Sequence, residues 1–215
     1  MVSGNGAAHV YLRPGHVREN RWTISDIERG HVEGIPHWTV SHLADLDGVA
    51  MIAGIDDDDD VVLVSSQGRA RLRTLENGAI AYIPTTADVL QTGGKAAVHS
   101  PAAWLERTYD GPFPDAPMQL TQIFRAARSG DLVVAAGPRA DLREEWEIPE
   151  HHSGHGSIVT EHMQCLMALN RPATEPMRTV DLFPLILEHL GHAIPQNIDG
   201  RLHQGDLHVA SSSTP

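Results

Sequence analysis

The sequence predicts an α/β protein that carries a small antiparallel β meander. Three observations lead there. Residues 117–191 read as helix, strand, loop, strand and helix, the order of an α/β layer. Residues 61–83 hold three short segments rich in β-branched residues, separated by Gln67-Gly68 and Asn77-Gly78, and Asn-Gly favours a tight hairpin turn. Residues 131–136 (DLVVAA) form a near-continuous apolar run, as expected of a strand covered on both faces.

Composition sets the outer bounds. A chain of 215 residues can bury a real core in one or two domains. Hydrophobic residues at 41% and charged residues at 20% are ordinary for a soluble globular protein. A net charge of −12 argues against binding to nucleic-acid backbone or to anionic membrane surfaces. No apolar stretch approaches the roughly 18 residues of a membrane span. The start, MVSGNGAAHVYLRPG, lacks the basic opening and apolar core of a secretory signal, so a cytoplasmic location is the default expectation. The single cysteine, Cys165, excludes an intrachain disulfide and reads as a small buried hydrophobe rather than a nucleophile.

Along the chain, residues 7–13 read as a strand stopped by Pro14-Gly15. Residues 16–36 are polar, with a short helix over 25–29 in which Ser25 caps and Glu28 completes the capping box. A helix over 37–46 leads into a strand over 49–53. The acidic run 56–60 lacks the spaced oxygens of a calcium loop and reads as a solvated turn. The meander follows, over 61–65, 69–74 and 79–83. Its Arg69, Arg71 and Arg73 alternate with Ala70, Leu72 and Thr74, which predicts a solvated charged face more readily than an anion site. Ser100-Pro101 starts a helix over 102–107, and 117–128 forms a second, ended by Ser129-Gly130. A strand over 163–169 is expected beside the 131–136 strand, with the last helix packed against both. That helix opens at Thr179 or Asp181, tolerates Pro184 in its first turn and closes at Gly191. Residues 211–215 form a frayed tail.

The stretch 150–172 concentrates candidate chemistry. His151, His152, His155 and His162 fall within twelve residues, and Gly154 and Gly156 bracket His155. Imidazoles on a glycine-flanked loop beside a strand suit metal binding. The same histidines also suit plain polar surface, because H-H-x2-H-x6-H matches no standard zinc signature and the loop itself completes no four-ligand shell.

The run HSGHGSIVTEHMQCLMALNRP, followed by MRTVDLFPLILEHLGHAIPQNIDGR, resembles the C-terminal end of the alkaline phosphatase superfamily, closest to its type I phosphodiesterase/nucleotide pyrophosphatase-like branch. In that family a late H-G-[ST] segment carries a metal-binding histidine. A strand, a helix beginning V-D-L and a loop ending D-G-R then follow. The match covers about residues 116–201, and SGNGAAHVYLR resembles a mid-chain strand of the same proteins. The resemblance implies an alkaline-phosphatase-like layered sheet with helices over 116–203, with the 61–83 meander as a separate subdomain.

It also implies chemistry. In the family two zinc ions bridge a phosphoryl group while a serine or threonine attacks phosphorus, the metals activating both attacking and leaving oxygens. His155 of His155-Gly156-Ser157 fits the late histidine ligand of one zinc. His151, His152 and His162 would orient His155 or touch the substrate. No catalytic residue is assigned: the family's nucleophile segment, early aspartate and Ser-Asp-His-Gly segment have no counterpart here, and Ser157 follows the ligand rather than occupying a nucleophile loop.

The expected function is therefore the C-terminal segment of a zinc-dependent phosphoric ester hydrolase, inactive alone. It would act on a phosphate ester with an N-terminal half or partner chain. A non-catalytic binding module of the same fold and a histidine-rich metal-binding protein are the other readings.

Overall fold

Apolar residues occupy successive positions in 49–55, 61–65 and 132–136, which leaves those strands with two faces to bury. The computed structural model describes residues 2–3, 5–12, 21–142, 154–169 and 175–202. Contacts divide the chain into a unit of residues 1–165 and a unit of residues 166–215, each described by itself.

In the first unit the strands are β1 (Val2–Ser3), β2 (Ala7–Val10), β3 (Val49–Ile55), β4 (Val61–Ser65), β5 (Gly68–Thr74), β6 (Ile80–Pro84), β7 (Ala97–His99) and β8 (Leu132–Ala136). They form one sheet, in the order β1-β2-β8-β3-β4-β5-β6-β7, with every neighbouring pair antiparallel. The helices are α1 (Ile24–Glu28), α2 (Thr39–Ala44), α3 (Pro101–Thr108), α4 (Ala116–Arg125) and α5 (Thr160–Met163).

Strand alternation sends side chains to both faces. On one face Met51, Leu63 and Val133 pack with Trp104 of α3 and Leu120 of α4. On the other, Ile52, Val62 and Val134 pack with Ile24 of α1 and Val40 of α2. The whole of β8 is buried, as its apolar run predicts. The result is a mixed helix-and-sheet unit with helices on both faces of the sheet.

The 61–83 meander forms as antiparallel strands, and Gly78 takes the positive φ (+78°) of its Asn-Gly turn. It does not stand apart, because β3 joins it edge-on to β8. The strand expected over 163–169 is absent. α5 ends at Met163, and residues 164–169 have no regular structure. The reason lies in β8, whose two edges are already paired with β2 and β3, leaving no place beside it for another strand. Leu166 is 96% exposed, and Cys165 is exposed rather than buried.

The solvated readings of the charged segments hold only in part: Asp57, Asp58 and Asp59 are exposed, but the ends of the acidic run and the arginine row are engaged. Asp56 and Asp60 are buried, with Asp56 N–H donating to Asp60 O at 2.9 Å to close the turn. Arg73 grips Asp60 through two bonds of 2.8 and 2.7 Å, Arg71 pairs with Asp56, and Arg69 pairs with Glu28. The arginine row thus fastens the acidic turn and α1 to β5. Ser25, expected as a helix cap, donates to Asp56 at 2.6 Å instead. Thr23 caps α1, with Asp26 completing the box.

In the second unit a short 3-10 turn, Thr179–Asp181, leads into α6 (Leu182–His189). Gly191 (φ +71°) closes it, with His192 N–H donating to Leu187 O at 2.8 Å. The carboxylate of Asp181, 0% exposed, accepts from the backbone of Arg178 and of Arg201, each at 2.9 Å. A side chain at Gly200 would lie 2.8 Å from the Val180 carbonyl carbon. The V-D-L and D-G-R motifs are therefore one interlocked piece.

Candidate functional site

The loop carrying His155 is held by its backbone. Asn5 and His155 form a parallel bridge, and Gly6 N–H donates to His155 O at 2.8 Å. Gly156 turns the chain at φ +94°, a conformation open to glycine and poorly tolerated by other residues. Ser157 then drops inward, 2% exposed, and its hydroxyl donates to Ala136 O at 2.6 Å. That oxygen is a clip between loop and β8. Thr160 secures the far end, donating to Gly111 O at 2.6 Å.

With its main chain held at both ends, the loop presents His155 as an exposed side chain whose ring makes no hydrogen bond among the described residues. His162 behaves differently. It stands half-buried on α5, and its Nδ1 accepts the Ser157 N–H at 3.2 Å. A ring that accepts at Nδ1 carries its neutral-state proton on Nε2. His162 therefore supports the loop from within rather than standing beside His155 as a second free imidazole. His151 and His152 lie outside the described residues.

Among the described residues no group of three or more His, Cys, Asp or Glu side chains could hold a metal ion. Tight zinc sites use three or four protein ligands. His155 supplies one, so the described residues do not by themselves fit a zinc site.

Beside the loop opens a cleft of about 380 Å³. Its floor is the sheet face of Ala7, Met51 and Ala135, and one wall is Leu120 and Ile123 of α4. The opposite wall is the loop and α5, through Ile158, His162 and Met163. Small residues on the floor leave the space open. Gly6 was not singled out in the sequence, yet a Cβ there would lie 2.5 Å from His155 O and 2.8 Å from His162 Nδ1, and closer still to Ser157 N. The signal was a small residue at a strand entry, legible only once its neighbour, remote in sequence, is known. Comparison of the chain with family models, with curated proteins and with solved structures gives no match.

Proposed function

We propose that this chain is the C-terminal portion of a zinc-dependent phosphoric ester hydrolase of the phosphodiesterase/nucleotide pyrophosphatase kind, to which His155 supplies one metal ligand. The observation that carries the reading is the pairing of a fixed backbone with an unengaged imidazole at His155. The bridge to Asn5 and the Ser157 clip fix the main chain on either side of His155 and leave its ring open to a ligand. The interlocked V-D-L and D-G-R motifs, joined through Asp181, lend further support. The exposed apolar row Val180, Phe183, Ile186 and Leu190 is surface that a second half or partner chain would cover.

The test has two arms. The 215-residue chain alone, supplied with zinc and bis(4-nitrophenyl) phosphate, is expected to show no metal-dependent turnover. Joined to a segment bearing a nucleophile and a Ser-Asp-His-Gly ligand set, such as one encoded beside this chain, it should gain turnover that His155→Ala removes. Turnover by the chain alone, abolished by His155→Ala, would mean the site is complete without a partner. Turnover of the joined protein that survives His155→Ala would end the ligand assignment.

A second reading, a non-catalytic binding module of the same fold, draws on a different observation. The cleft beside the loop is mostly apolar, and among the described residues it carries no Asp, Glu, Lys or Arg.

A further inference from the structure

The cleft can be read for ligand chemistry without any assumption about zinc. Its volume, about 380 Å³, falls within the range of small-molecule pockets.

Among the described residues the walls contain no Asp, Glu, Lys or Arg. An anion or a cation would lose its hydration there without gaining a countercharge, which is costly. The polar side chains of the lining are Gln119, Gln122, Ser157 and His162, and all but Gln122 are already engaged. His162 accepts at Nδ1 from Ser157, so its other nitrogen is an N–H donor with no partner among the described residues. Gln119 donates through Nε2 to Asp115 at 2.8 Å, so what it can still offer through its amide carbonyl is an acceptor. Around them lie Met51, Leu120, Ile123 and Met163, an apolar and adaptable lining.

We infer that this cleft binds a small neutral molecule with an apolar ring or branched body and a carbonyl oxygen, which accepts from His162 Nε2–H. An amide or an ester satisfies this description, and a free carboxylate or an amine does not. The site belongs to the first unit alone and is built whether or not His155 ever holds a metal.

The experiment uses the full chain and three probes of one shape: cyclohexanecarboxamide, cyclohexanecarboxylate and cyclohexylmethylammonium. Binding is followed at neutral pH by backbone amide shifts and by the His162 ring N–H resonance. The carboxamide is expected to bind with a Kd of about 1 mM, as suits so small a ligand. It should shift Leu120, Ile123 and residues 156–158, and move the His162 Nε2–H signal. Both ions should bind at least about tenfold more weakly. Ala7→Leu fills the floor with a larger side chain and should abolish carboxamide binding while leaving the far-UV spectrum unchanged. Equal binding of either ion, shifts mapping elsewhere, a silent His162 ring or no binding of the carboxamide would each overturn the inference. If Ala7→Leu does not fold, the wild-type shift map and the probe ranking decide the matter by themselves.

Discussion

Replacing Gly6 by alanine tests whether the His155 loop is pinned to the sheet. The added Cβ would sit 2.5 Å from His155 O, about 1 Å short of ordinary contact, and both this atom and Ser157 N belong to backbone that no rotamer change can move. The loop must lift. Lifting breaks the 2.8 Å bond from Gly6 N–H to His155 O and strains the buried 2.6 Å bond from Ser157 to Ala136 O. At about 1 kcal/mol net for each bond, with some lost packing, the cost is about 2–3 kcal/mol. For a chain of this size each kcal/mol lowers Tm by roughly 2–4 °C, so the fall should be about 4–12 °C. Gly30→Ala is the control. Its φ is +74° but nothing lies within 4 Å, so only backbone strain of about 1 kcal/mol is added and the loop is untouched. Thermal melts and amide hydrogen exchange over 155–162 provide the readout. A Gly6→Ala protein melting within about 1 °C of wild type, with exchange over 155–162 unaltered, would refute the pinning.

Three further outcomes follow from the packing. In Asp88, burial pushes the carboxyl upward, but hydrogen bonds from Thr92, Tyr82, Gly94 and Gly93 outweigh it and hold the group below its ordinary 3.8. Asp26 and Asp56 are depressed by the same balance of burial against hydrogen bonds, with His31 and Arg71 adding to it. Their contribution is complete above the ordinary value and is lost as pH falls through the lowered ones, so urea midpoints should drop steeply below about pH 4. His9 is depressed from 6.5 by burial and by Arg21, so the unfolded chain takes that proton first. A shallower loss should begin below 6.5 and flatten in His9→Gln; an unchanged profile in that variant would count against it. Trp104→Phe removes a 2.8 Å bond to Ile80 O and part of a fully buried ring, which should cost about 2–4 kcal/mol in urea melts. A loss under about 0.5 kcal/mol would contradict the core described.

Local signals in the sequence were read well where the cause was local. The Asn-Gly turn, the Ser100-Pro101 helix start and the Gly191 stop each depend on a few adjacent residues, and each forms. The two-sided burial of 132–136 followed from composition alone. Partnership was not legible. The apolar run after His162 has strand-like composition, but a strand needs a free edge, and β2 and β3 occupy both edges of β8. The acidic run looked solvated because its arginine partners are invisible until β4 and β5 pair and bring Arg71 and Arg73 beside Asp56 and Asp60. At the site, the glycine-flanked histidine was recognisable. The steric need for Gly6 and the inward role of His162 arise from an encounter between residues near 6 and residues near 157.

The place of β8 in the sheet sets an order of assembly. Strands β3 to β7 pair with sequence neighbours, so they can zip together through short loops as soon as each is synthesised. β2 pairs with its sequence neighbour β1 along one edge only: its partner on the other edge is β8, and Leu12 N–H reaches Asp131 across 119 residues at 2.8 Å. That second edge of β2 must therefore wait until residue 136 has left the ribosome. Only then can β8 slide between β2 and β3, and the His155 loop closes over the seam last. During that interval the open edge of β3 is the segment most exposed to wrong pairing, so a chaperone or a pause in synthesis would matter most just before residue 132.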